Sequence, residues 1–275
     1  MSLGVDISQY NEKINFSILK NNVKFVMIRA GLGHMIPDKM FKSNILNCNS
    51  FHIPCGVYWF SYALNKDEAI QEAKYCIETI KPHDIILPVA YDFEYDSERY
   101  AKEQGVIFTN SDRQEIIDAF CQEIDKAGYT PMVYTNSDYW KYKGTSYFKN
   151  IYDIWFAWYS DPLPKNFNCE IWQYSCQGKV SGINTSVDMD VCYKDYVKIY
   201  SDKKLNEFSE TWFEYYFDFD KNPKSIENYK TAITQIMRKE NEDSKIEIAR
   251  KYLCDYNLLC FIIKKMKERK EQWQY

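Results

Sequence analysis

Short apolar runs alternate with amphipathic segments along the first 200 residues, and this alternation limits the possible folds more than any other feature of the chain. Eight runs, at 3–7, 25–30, 53–62, 85–91, 131–135, 154–159, 171–174 and 187–191, have the length and composition of buried strands. Between the early ones, apolar residues recur at helical spacing over 16–21, 39–48, 66–80 and 111–127, with Ser111 or Asp112 placed to cap the last. Strands alternating with helices imply parallel βαβ units. After Thr135 the strands crowd together and full helices no longer fit between all of them. The expected architecture is therefore α/β, a modified TIM-like β/α barrel whose late helices are short or missing.

Near residue 200 the character changes. From Lys203 onward the chain is charged and helical in pattern, with breaks at Asn222-Pro223 and Asn241-Glu242-Asp243 separating helices expected at 225–239, 244–256 and 258–272. The expected division is a barrel over 1–200 and a small α-helical module over 201–275. The basic run Lys264-Lys265-Met266-Lys267-Glu268-Arg269-Lys270 reads first as a solvated helix face, with contact to an anionic surface the lesser reading.

Composition excludes several partners. A formal net charge of -4 gives no electrostatic reason to expect nucleic acid. No apolar stretch reaches the length of a membrane span, and Met1-Ser2-Leu3-Gly4-Val5-Asp6 lacks the basic start of a signal peptide, so synthesis in a reducing cytosol is expected. Nine cysteines without a Cys-x-x-Cys pair read as reduced, mostly buried thiols. Cys48, His52 and Cys55 have metal-like spacing, yet a fourth ligand is not evident and a helix running into a buried strand explains them better. His34 and His83 lack any partner pattern, and neither metal nor cofactor is expected. The 24 Tyr and 7 Trp suit either a packed core or a sugar-stacking groove.

Chemistry concentrates at Tyr91-Asp92-Phe93-Glu94-Tyr95, which ends a hydrophobic run. In a strand, residues two apart share a face, so Asp92 and Glu94 are expected to project together with Cα atoms roughly 6.5 to 7 Å apart. Mutual charge and partial burial would keep one of them protonated, as a general acid facing a glycosidic oxygen must be. A capping or surface pair at a strand end is the plainer alternative. Asp6 ends the first strand and Asp188 lies on the last, and in a closed parallel barrel those strands are neighbours whose C-terminal ends face one pocket. The four carboxylates would then converge, raising at least one pKa.

These segments resemble the Chalaropsis-type lysozymes, glycoside hydrolase family 25. The resemblance rests on Gly4-Val5-Asp6-Ile7-Ser8, Phe25-Val26-Met27-Ile28-Arg29-Ala30-Gly31 and Gly56-Val57-Tyr58-Trp59-Phe60-Ser61-Tyr62-Ala63. It continues through Leu87-Pro88-Val89-Ala90-Tyr91-Asp92-Phe93-Glu94 and Ala127-Gly128-Tyr129-Thr130-Pro131-Met132-Val133-Tyr134. It closes with Ile171-Trp172-Gln173-Tyr174-Ser175, Gly178-Lys179-Val180-Ser181-Gly182-Ile183 and Val187-Asp188, and spans about residues 1–197. It implies cleavage of the β-1,4 bond between N-acetylmuramic acid and N-acetylglucosamine in bacterial peptidoglycan.

By position Glu94 resembles the family's general acid and Asp92 its charged partner, while Asp6 and Asp188 match its other acidic positions. Tyr58 and Tyr134 resemble rings lining the groove, with Phe60, Trp158 and Gln173 as further substrate-binding positions that plain core packing would also explain. Direct double displacement and substrate assistance by the acetamido group both remain open, with assistance and net retention favoured. A noncatalytic wall-binding barrel and a hydrolase of another N-acetylated glycan are the alternatives. The chain resembles a phage or prophage lysin made in the cytoplasm and acting on the wall after release. The tail after Lys203 matches no familiar wall-binding repeat, which leaves wall contact, self-association and barrel stabilisation open.

Overall fold

The computed structural model describes residues 1–200 except 12 and 166, together with residues 246–247. The helices expected at 225–239, 244–256 and 258–272 lie outside the described residues. Residues Met1–Lys198 form one compact unit. Its elements in chain order are β1 (Ser2–Ile7), α1 (Phe16–Leu19), β2 (Phe25–Leu32), β3 (Ile36–Pro37), α2 (Phe41–Ser50), β4 (Cys55–Phe60), α3 (Lys66–Ile80) and β5 (Val89–Asp92). There follow α4 (Tyr95–Glu103), α5 (Asn110–Lys126), β6 (Pro131–Asn136), α6 (Ser137–Tyr142), a 3-10 turn (Thr145–Asn150), β7 (Asp153–Ala157), β8 (Ile171–Gly178) and β9 (Val187–Cys192).

All strands but β3 close into a barrel in the order β1-β2-β4-β5-β6-β7-β8-β9, with β9 pairing back onto β1 and β3 a short antiparallel addition to β2. Neighbours are parallel from β1 through to β8, whereas β9 runs antiparallel to both β8 and β1. The expectation of a wholly parallel barrel is corrected here. A parallel return needs a crossover of about a dozen residues or more, and the 179–186 connection is too short for one.

Period-two alternation sorts the side chains into two layers. Phe25, Met27, Ala90, Met132, Trp155, Ile171 and Cys192 fill the barrel interior. Val26, Ile28, Val57, Trp59, Val89, Tyr91, Val133, Ile154 and Phe156 face outward under the helices. Gly56 lies where strands and filling meet: a Cβ there would sit 2.6 Å from the Pro88 carbonyl oxygen and 2.7 Å from Met27 Sδ. Gly56→Ala is accordingly expected to destabilise the barrel by about 1–3 kcal/mol, read as a lower urea midpoint with an unchanged slope. An unshifted midpoint would show that β4 and β5 can separate to admit a methyl group.

Helix starts follow side-chain capping. Asn65 accepts from the Glu68 N–H at 3.0 Å and opens α3 over the 66–80 span read from the sequence. For α5 the cap is Thr109, not Ser111 or Asp112: Thr109 Oγ1 accepts from the Asp112 N–H while Asp112 accepts from the Thr109 N–H. The run expected as a strand over 85–91 begins its ladder only at Val89, because Pro88 has no N–H and the Ile86 and Leu87 N–H groups both turn onto the Cys55 carbonyl. Helix α4 has no counterpart in the expected elements, since it is short and polar overall and only Ser97 and Ala101 along it are buried. Cys48 and Cys55 are buried where α2 gives way to β4, and His52 between them is exposed in a left-handed conformation.

Candidate active site

Parallel strands bring their C-terminal ends to one mouth, and the sequence-predicted acids meet there. Asp6 ends β1 one residue early, and Asp92 closes β5. Asp188 arrives from the opposite direction, near the N-terminal end of β9. Antiparallel pairing sets it directly across from Asp6, so reversal of the strand preserves its place in the mouth. Glu94 is not on the strand face shared with Asp92 as expected. β5 stops at Asp92, and Glu94 is the extended residue that caps α4, its N–H donating to Ser97 Oγ at 3.2 Å.

Around these acids stand a wall of rings and one amide. Phe60 pairs with Asp92 across β4 and β5, and Asp92 pairs in turn with Tyr134 on β6. Gln173 on β8 is the hub: its Nε2 donates to Asp6 at 2.8 Å, and its Oε1 accepts from Tyr134 at 3.0 Å and from Tyr159 at 2.8 Å. Tyr58 lies deeper and packs edge-on against Trp155, ring centroids 5.7 Å apart, and Tyr134 meets the same indole at 5.0 Å. Trp158 is not brought to this group. Its ring lies over Phe156, on the helix side of the barrel, and Trp158 Nε1 donates to the Pro162 carbonyl.

Burial dominates the electrostatics. Asp6 is held well above the usual carboxylate range by burial first, then by the charges of Asp190 and Asp188, with the Gln173 hydrogen bond opposing. Burial likewise raises Asp92, and the Glu94 charge adds to it while Arg29 opposes. Glu94 is pushed up to about 7 by burial and by the Asp96 and Asp188 charges. Asp92 Oδ1 is buried with no hydrogen-bond partner, an acceptor left open in the mouth. Among the described residues no group of three or more His, Cys, Asp or Glu is arranged to hold a metal ion.

Four contributors were not singled out from sequence. Arg29 on β2 donates through Nε to Asp38 at 2.7 Å and stacks its guanidinium 5.0 Å from the Tyr10 ring. A charge inside an otherwise apolar run was the available signal. Trp155 and Asp190 form a buried pair, Trp155 Nε1 donating to Asp190 at 2.8 Å. The Tyr159 hydroxyl, rather than the Trp158 ring, reaches the Gln173 side chain. Strand parity carried that information, because Trp155, Ala157 and Tyr159 share a face and Trp158 opposes it.

The uncharacterized protein YegX of Escherichia coli K12 is 25% identical over 198 residues, 68% of each chain. The modular autolysin LytC from Streptococcus pneumoniae superposes with a TM-score of 0.60 at 27% identity, over 70% of this chain and 46% of that one. This chain thus spans less than half the autolysin. The lysozyme from Streptomyces coelicolor superposes with a TM-score of 0.61 at 20% identity over 72% of this chain and 95% of its own, a likeness of fold. The family model for Glycosyl hydrolases family 25 matches residues 5–183, from the strand that carries Asp6 through the one that carries Gln173. The chain belongs to the glycosyl hydrolases of family 25.

Proposed function

We propose that the barrel is a peptidoglycan hydrolase, an N-acetylmuramidase cleaving the β-1,4 bond between N-acetylmuramic acid and N-acetylglucosamine. The observation that carries this reading is a partly buried Glu94, held protonated up to about 7, beside Asp92 with its open acceptor in the mouth of a family 25 barrel. Glu94 donates its proton to the glycosidic oxygen as the bond to the sugar's C1 breaks. The acetamido oxygen of the same sugar attacks C1 from the opposite face, and Asp92 Oδ1 accepts the acetamido N–H and balances its growing positive charge. Water, deprotonated by Glu94, then opens the cyclic intermediate, giving net retention. Asp6 and Asp188 set the charge and hydrogen bonding of the pocket, and Tyr58, Phe60, Tyr134 and Gln173 line it. Trp158 is left out of this assignment because its ring faces the helices.

On this reading the chain acts on the bacterial wall after release from the cytoplasm, as a lysin does. The segment 201–275 is assigned to wall contact or self-association. Because the general acid must carry its proton, activity is expected to fall as pH rises through about 7. A rate that climbs through that range would contradict the assignment of Glu94. Substrate class is tested by incubating the protein with purified peptidoglycan and with chitin oligomers in parallel and separating the products. Soluble muramic acid-containing fragments are expected from the first and little from the second. Cleavage of chitin alone would shift the reading to another N-acetylated glycan, and binding without cleavage would make the barrel a wall-binding protein.

A further inference from the structure

Behind the four predicted acids lies a fifth that faces no solvent. Asp190 is 0% exposed and sits on β9 two residues beyond Asp188, paired with Gly4 of β1 on one side and with Gln173 of β8 on the other. One oxygen, Oδ1, accepts the Trp155 indole N–H at 2.8 Å; the other, Oδ2, is buried and has no donor within reach among the described residues. Asp6 pairs with Asp188 across β1 and β9, and a proton on the Asp6 carboxyl would be donated to Asp190 or Asp188, lowering the pKa of each.

Two carboxylates are acceptors only, so contact between them is a hydrogen bond only when one keeps its proton. The titratable groups around Asp190 are Asp6 from β1, Asp188 and Cys192 from β9, and Tyr174 from β8. The cation of the mouth, Arg29, is committed to Asp38 and acts on Asp92 and Tyr58 instead. Asp188 is partly open to water and can stay ionised. Asp6 and Asp190 are both sealed, and without a counter-ion the two together keep one proton.

We infer that Asp190 is a proton-sharing positioning residue: it and Asp6 hold one proton between them at the open Oδ2 of Asp190, while Oδ1 holds the Trp155 indole. The proton completes a chain of hydrogen bonds from Trp155 through Asp190, Asp6 and Gln173 to Tyr134 and Tyr159, tying together β7, β9, β1, β8 and β6. Asp190 touches no substrate. It fixes the rotamer of Asp6 and the indole against which Tyr58 and Tyr134 rest. This role in catalysis depends on the muramidase reading above, but the protonation state does not.

The test compares wild type with Asp190→Asn and Asp190→Ala. An asparagine accepts from Trp155 and donates to Asp6 much as the neutral acid does, whereas alanine leaves both partners buried and unpaired. With soluble peptidoglycan fragments, Asp190→Ala is expected to lower kcat about thirtyfold with KM nearly unchanged, and Asp190→Asn to rescue most of that loss. In infrared difference spectra taken well below pH 8, the value to which burial pushes Asp190, wild type should show one protonated-carboxyl C=O band that Asp190→Asn lacks. Failure of asparagine to rescue, an unaltered kcat in Asp190→Ala, or an identical set of carboxyl bands in wild type and Asp190→Asn would each overturn the inference. The infrared comparison needs no turnover, so it decides the proton even if Asp190→Ala does not fold or no variant digests peptidoglycan.

Discussion

Glu94→Gln is expected to lower kcat on peptidoglycan by about 10²–10⁴-fold while leaving fragment binding nearly intact. Glutamine keeps the size and shape of the side chain but cannot transfer a proton. The same substitution should stabilise the fold at neutral and higher pH. Between 4.5 and about 7 the native state still holds the Glu94 proton that the unfolded chain has released, so stability falls as pH rises through that window. Glutamine escapes this penalty. The variant should therefore be more stable than wild type above pH 7, by on the order of 3 kcal/mol, and equally stable below 4.5. An inactive variant with no gain in stability would mean that the native Glu94 is already ionised at neutral pH, and that its role is not proton donation.

Asp92→Asn carries the second-largest expected effect, a loss in kcat of about 10²–10³-fold with little change in KM. Asparagine can still accept the acetamido N–H through its oxygen. It supplies no negative charge where positive charge develops in the transition state, and the loss should fall on the chemical step. Progress followed by NMR should show the new anomeric centre forming with retained configuration in wild type. An inverted product would exclude the acetamido nucleophile and require a water attacking from the far face, a route in which Asp92 would be a general base.

Most of the barrel was legible because buried strands announce themselves as apolar runs, and each expected run contains or overlaps a strand of the closed ring. The reversal of β9 was latent in the short 179–186 segment, but pairing direction is a property of two strands and no single run states it. Helix α4 was illegible for a different reason. It is short, lies on the surface and is polar overall, so its one-sided pattern did not read as a buried stripe. At the site, Asp92, Glu94, Asp6 and Asp188 stood out as acids at strand ends. Arg29 and Asp190 did not, since their importance lies in what faces them across the barrel: Asp38 and Tyr10 for one, Asp6 and Trp155 for the other. Trp158 was chosen by ring type where strand parity would have chosen Tyr159.

The central claim is that this mouth cleaves the muramyl bond with Glu94 as its acid. Its most direct test is reducing-end analysis of purified peptidoglycan digested side by side by wild type and Glu94→Gln. New ends terminating in N-acetylmuramic acid should accumulate with wild type and be absent with the variant. Ends terminating in N-acetylglucosamine, or equal yields of muramic acid ends from both proteins, would contradict it.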